Sequence, residues 1–106
     1  MNPPLPKRST QAQRLTIEHD GSLLGFVDYY ALGGAIVITH TETNPALTGK
    51  GHGSQLAEQA IAHFRTQPQP LVPICSFFAH YLRTHPKHHD MMTANVRQLF
   101  AMEMQD

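Results

Sequence analysis

The chain has 106 residues, eight Lys plus Arg against eight Asp plus Glu, and a formal net charge of zero. One domain is the expectation at this length. The balance carries no basic excess for nucleic acid, 41% apolar content argues against disorder, and a single cysteine excludes a disulfide framework or a multi-cysteine zinc site.

Residues 1–9 carry Pro3, Pro4 and Pro6 and read as a flexible tail. No apolar core follows Lys7 and Arg8, so a secretory signal is not expected. No apolar run approaches the ~18–20 residues of a membrane span, and the expected location is cytoplasmic. Gln13 to His19 alternates Leu15, Ile17 and His19 with Arg14, Thr16 and Glu18, as a half-buried strand does. Asp20-Gly21 is a hairpin turn signal. Ser22 to Tyr30 predicts a second strand, and Ala35 to Thr41 a third. In that third strand Ile36, Ile38 and His40 are expected on one face, with Val37, Thr39 and Thr41 on the other. Apolar residues on both faces point to a central strand.

The period then changes. Leu56, Ala57, Ala60, Ile61 and Phe64 form one face of a helix predicted over residues 54–65. Gln67-Pro68-Gln69-Pro70 stops it, because proline breaks the backbone ladder. Leu71 to Ile74 predicts a short strand. Ser76 to Arg83 predicts a second helix with Phe77, Phe78, Tyr81 and Leu82 inward, ended by Pro86. Met91 to Met104 predicts a third, through Met92, Val96, Leu99 and Phe100. The expected fold is α/β of the α+β kind: an antiparallel meander plus a further strand in one mixed sheet, flanked by helices.

Gly49-Lys50-Gly51-His52-Gly53-Ser54 leads directly into the first helix. Glycines let the backbone approach a ligand closely. The free N–H groups and dipole of a helix start favour an anion such as phosphate. A Walker A loop is excluded, because Gly51 rather than Ser or Thr follows Lys50. The dinucleotide fingerprint is excluded by the G-x-G-x-G spacing after a meander.

The loop resembles the pyrophosphate loop of the GNAT N-acetyltransferase superfamily, Q/R-x-x-G-x-G/A, with Thr48 in place of the first residue. The chain looks most like the small, YjdJ-type branch. His40-Thr41-Glu42-Thr43, Val72-Pro73-Ile74-Cys75-Ser76-Phe77 and Tyr81 followed by His85-Pro86 match that branch in order, over roughly residues 11–90. His52 replaces the usual aliphatic residue, and Lys87-His88 replaces Glu-Tyr after His85-Pro86.

The resemblance implies a GNAT-like domain over residues 10–90 that binds acetyl-CoA, followed by a C-terminal helical extension over 91–106. It implies an acetyltransferase acting on an amine acceptor, with no metal. Gly49, Lys50, Gly51, His52, Gly53 and Ser54 would hold the pyrophosphate through their backbone. The pantetheine arm would run near Thr41, Glu42 and Thr43. Histidine as a residue type suits general-base work near neutrality, which makes His40 the candidate base. Cys75, at a helix start, is a candidate nucleophile that could pair with His40 for acyl transfer. Tyr81 is the candidate acid for the departing thiolate. The alternative reading is a GNAT-shaped module that binds coenzyme A or a protein partner and transfers nothing. A weaker alternative draws a metal site from His85, His88 and His89, whose spacing fits no zinc pattern. A solvated histidine-rich turn is the expectation for His80, His85, His88 and His89. The methionines of the C-terminal segment could pack on the sheet or on a second copy in a homodimer.

Overall fold

The computed structural model describes residues 12–47 and 51–102. Three strands form the expected meander: β1 (Gln13–His19), β2 (Ser22–Leu32) and β3 (Ala35–Thr43). Asp20 and Gly21, at φ 53° and 77°, make the tight turn between the first two. The fourth strand, β4 (Leu71–Pro73), runs parallel to β3. The sheet order is β1-β2-β3-β4, so β3 is interior, as its two apolar faces predicted.

Helix α1 (His52–Phe64) crosses from β3 to β4, and α2 (Ser76–Arg83) follows β4. Both pack on the same face of the sheet. Leu56, Ala57, Ala60, Ile61 and Phe64 of α1 join Phe78, Tyr81 and Leu82 of α2 over Ile17, Val27, Ile38 and Leu71. This buried layer is the core, and it fixes where the two helix starts lie.

Several boundaries differ from the sequence reading, and three of them bear on the site or the core. Strand β3 continues to Thr43, so His40 lies within it rather than at its end. Helix α1 begins at His52, because Gly51 at φ 75° already turns the chain into the helix. The predicted third helix shrinks to α3 (Ala94–Leu99). Pro86 opens a 3-10 turn over Pro86–Met91, Met92 is extended, and the Thr93 hydroxyl caps α3 by accepting from Val96 N–H at 3.3 Å. Leu99, expected inward, is exposed. Met91, Met92 and Met102 nevertheless reach the core. The expected tail over residues 1–9 lies outside the described residues, apart from which the fold is a single α+β layer pair.

Candidate functional site

Strand β4 stops at Pro73, while β3 runs on through residues 39–43. The chain leaves the sheet there, and the N–H groups of Ile74 and Cys75 both donate to Ile38 O at 2.9 Å. Beyond that point β3 has no ladder partner on the β4 side, and the starts of the two helices border a cleft beside it.

Three elements meet at the cleft. A Cβ placed on Gly53 would lie 3.5 Å from the Phe77 ring and 3.9 Å from the Thr43 methyl. The first turn of α1 therefore abuts the end of β3 and the first turn of α2. Both helices aim their unpartnered N–H groups and positive dipole ends towards this region. A cavity of about 470 Å³ opens between them, lined by Ser54, Ser76, Phe77, His80, Tyr81, Thr84 and His85. No lining residue is acidic, which suits an anionic ligand.

Strand β3 carries a bulge at the cleft. Asp28 faces His40 across the ladder but Tyr29 faces Ile38, leaving Thr39 without a counterpart. One extra residue reverses the alternation of side chains beyond it. Ile36 and Ile38 point into the core, and so does Thr41, opposite buried Val27. His40 therefore points to the other face of the sheet, which corrects its expected grouping with Ile36 and Ile38.

That reversal separates His40 from Cys75. Cys75 is 8% exposed on the core side, and its thiol donates to Thr41 Oγ1 at 3.4 Å. His40 is half-exposed on the opposite side, and its Nε2 lies 2.8 Å from Glu42 Oε2. An ionised Glu42 accepts only, so Nε2 carries the hydrogen and the lone pair of neutral His40 resides on Nδ1. The pair is a carboxylate-oriented imidazole. Phe26, 6.2 Å away between ring centroids, flanks it.

A family model described as GCN5-related N-acetyl-transferase matches residues 14–91. The chain belongs to this family. No curated protein matches it.

In this GCN5-related N-acetyl-transferase domain, the predicted loop residues divide. Gly49 and Lys50 lie outside the described residues. Gly51, His52, Gly53 and Ser54 stand at the α1 start. His52 Nδ1 bonds Gln55 Oε1 at 3.1 Å, so its side chain stays on its own helix. Glu42 directs its carboxylate at His40, which leaves only its backbone for a ligand in the cleft.

Tyr81 lies in the cavity wall, with the His85 ring stacked on it at 3.8 Å and 16°. Its hydroxyl donates to Glu58 Oε2. Burial and the adjoining carboxylate push the Tyr81 pKa well above the phenol range, so the hydroxyl keeps its proton. Burial alone would raise the Glu58 pKa. Hydrogen bonds from Tyr81 and His88, with the charges of His88 and Lys87, outweigh it and hold Glu58 at about 2.

The histidine-rich turn is solvated only in part: His80 is exposed as expected and His85 is partly exposed, but the other two histidines are not solvated. His88 and His89 are 7% and 2% exposed. His88 sits between Glu58, at 3.0 Å, and Arg65, at 3.2 Å. His89 Nε2 lies 2.8 Å from Leu82 O. Both close the joint between α1, α2 and the 3-10 turn. Among the described residues, no group of three or more His, Cys, Asp or Glu is placed to hold a metal.

Sequence reasoning passed over Glu58 and Gly25. Glu58 carries no motif, and its partners lie 23 and 30 residues away. Gly25 had a legible signal, a glycine inside a strand pattern. A Cβ there would come within 2.1 Å of Glu42 O and 2.5 Å of Leu56 Cδ1. Its absence lets α1 settle against β2 and β3.

Proposed function

We propose that the chain transfers an acetyl group from acetyl-CoA to an amine acceptor. The observation that carries this reading is the cleft bordered by the α1 and α2 starts, beside the unpaired end of β3, in a GCN5-related N-acetyl-transferase domain. The backbone N–H groups of residues 49–54 would receive the pyrophosphate, and the backbone of residues 41–43 the pantetheine arm. Such a site needs no surplus of Lys or Arg, which accords with zero net charge.

Transfer needs an anchored thioester, a neutral amine and a stabilised tetrahedral oxyanion. His40 Nδ1 takes the proton from the amine. The neutral amine nitrogen then forms the C–N bond, the C–S bond breaks, and the thiolate leaves with the electron pair and takes up the second proton that the nitrogen sheds. The products are the N-acetylated amine and coenzyme A. Transfer is direct, because Cys75 is buried on the side of the sheet away from His40. Tyr81 builds the cavity wall through Glu58. The cytoplasm is the proposed compartment, with no nucleic-acid partner, and no described helix is long and apolar enough to cross a membrane.

The alternative, a coenzyme A-binding module without transfer, draws support from the commitment of the Tyr81 hydroxyl to Glu58. Thermal unfolding with acetyl-CoA, followed by coenzyme A release with amine acceptors, separates the readings. Saturation to ~100 times Kd should add about 2.7 kcal/mol of stability. No stabilisation defeats both readings, and stabilisation without release from any amine favours the binding module.

A further inference from the structure

A second, smaller cavity lies beside the His40–Glu42 pair, and its chemistry is unlike that of the first. It measures about 130 Å³ and is lined by Leu23, Gly25, Phe26, Glu42, Thr43, Asn44 and Pro45. At ~30 Å³ per water, it has room for about four water-sized groups. Leu23, Phe26 and Pro45 supply apolar wall, and Leu23 is 43% exposed. Glu42 is the one charged residue in the lining.

His40 is joined to this cavity twice, through its bond to the Glu42 carboxylate and its contact with the Phe26 ring. The nearby cation is already committed. Arg14 lies 3.6 Å over the Phe26 ring centroid and is held by both oxygens of Asp28, at 2.8 and 3.0 Å. That pairing also neutralises Asp28, so among the described residues the lining offers one carboxylate and no cation.

We propose that this cavity is the acceptor site, and that the acceptor is a small primary monoamine with a short apolar body and no carboxylate. The assignment rests on the transferase reading above. The ammonium is received at Glu42, whose carboxylate also holds the imidazole, and the apolar body lies against Leu23, Phe26 and Pro45. An α-amino acid brings a carboxylate towards Glu42 where the described lining holds no cation and Arg14 is already paired with Asp28, and like charges in contact cost binding. A diamine carries its second ammonium into an apolar wall, where it must be desolvated unpaired.

Two measurements on the whole chain decide the matter. Backbone amide shifts are followed by NMR while n-butylamine, leucine or putrescine is added, and coenzyme A release is followed with each amine in the presence of acetyl-CoA. The expected result is n-butylamine shifts centred on Leu23, Phe26, Glu42 and Thr43, and kcat/KM for n-butylamine higher by ~10-fold or more than for the other two. L23D, a surface change that keeps the fold, should abolish those shifts and raise KM while acetyl-CoA still stabilises the protein. Equal or better turnover of leucine or putrescine overturns the proposed class. Absence of shifts at these residues, with stabilisation by acetyl-CoA retained, overturns the site and leaves the transferase reading standing. Shifts without transfer overturn the acceptor role. Absence of stabilisation by acetyl-CoA overturns the transferase reading and this assignment with it.

Discussion

At the scale of single residues, one unpaired position in β3 decides the chemistry. Thr39 has no counterpart in β2, and for that reason His40 meets Glu42 rather than Cys75. A positioned general base contributes ~10²–10⁴-fold, so His40→Ala should lower kcat within that range. Stabilisation by acetyl-CoA should persist in that variant, because the imidazole lies away from the helix starts. Cys75→Ala should retain most activity and lose some stability, since it removes a small buried side chain. Intact-protein mass spectrometry after acetyl-CoA treatment should show no acetyl group lost with Cys75; a wild-type adduct absent from Cys75→Ala would reverse that expectation. His40 and Cys75 were both legible in the sequence as residue types. Their separation was not, because a bulge is set by the register of two strands and not by the pattern of one.

At the scale of elements, α1 depends on two glycines for different reasons. Gly51 sits at φ 75° with open space around it, so Gly51→Ala should cost about 1–2 kcal/mol through backbone strain alone, read as a shift in the denaturant midpoint. Gly25→Ala should fail to fold or unfold far earlier, because its Cβ would meet the backbone carbonyl of Glu42 and the Leu56 side chain. The joint between α1 and α2 also has a pH signature. Glu58 is held at about 2 against an ordinary value of 4.5. Its contribution is therefore present above about pH 4.5 and lost as pH falls towards 2. Asp28 and Asp90, each lowered by an arginine hydrogen bond, act in the same direction. Acid unfolding of Glu58→Gln should show a shallower loss of stability over that window than wild type, measured by circular dichroism. The strands and first two helices were legible because each buries one face of a simple period. Glu58 was not, since hydrogen-bond partners far along the chain leave no periodic trace.

At the scale of the whole molecule, the C-terminal segment belongs to the core that the sheet and helices share. Met91, Met92 and Met102 are all buried, Arg97 donates to His89 O and Met92 O, and Arg83 donates to Phe100 O. Burying a large apolar side chain stabilises by ~2–5 kcal/mol relative to alanine. A chain ending at Asp90 should therefore be strongly destabilised, and light scattering should find aggregate rather than a clean monomer. The expected helix over 91–104 fails because Pro86 and Thr93 restart the local structure twice, and the methionines reach the core from a 3-10 turn and extended backbone.

The sequence by itself determined the meander, the order of strands and helices, the glycine-rich entry to α1 and the family resemblance. All of these follow from local periodicity, turn residues and short motifs. Only the tertiary structure decided which face His40 occupies, that His88 and His89 are buried, and that a small cavity with one carboxylate adjoins the imidazole. Those depend on register, on the close approach of α1 at Gly25 and on contacts between residues far apart in the chain. They also turn the opening charge balance into a local statement. The net charge is zero, yet one cavity is faced by helix dipoles and the other by a single carboxylate.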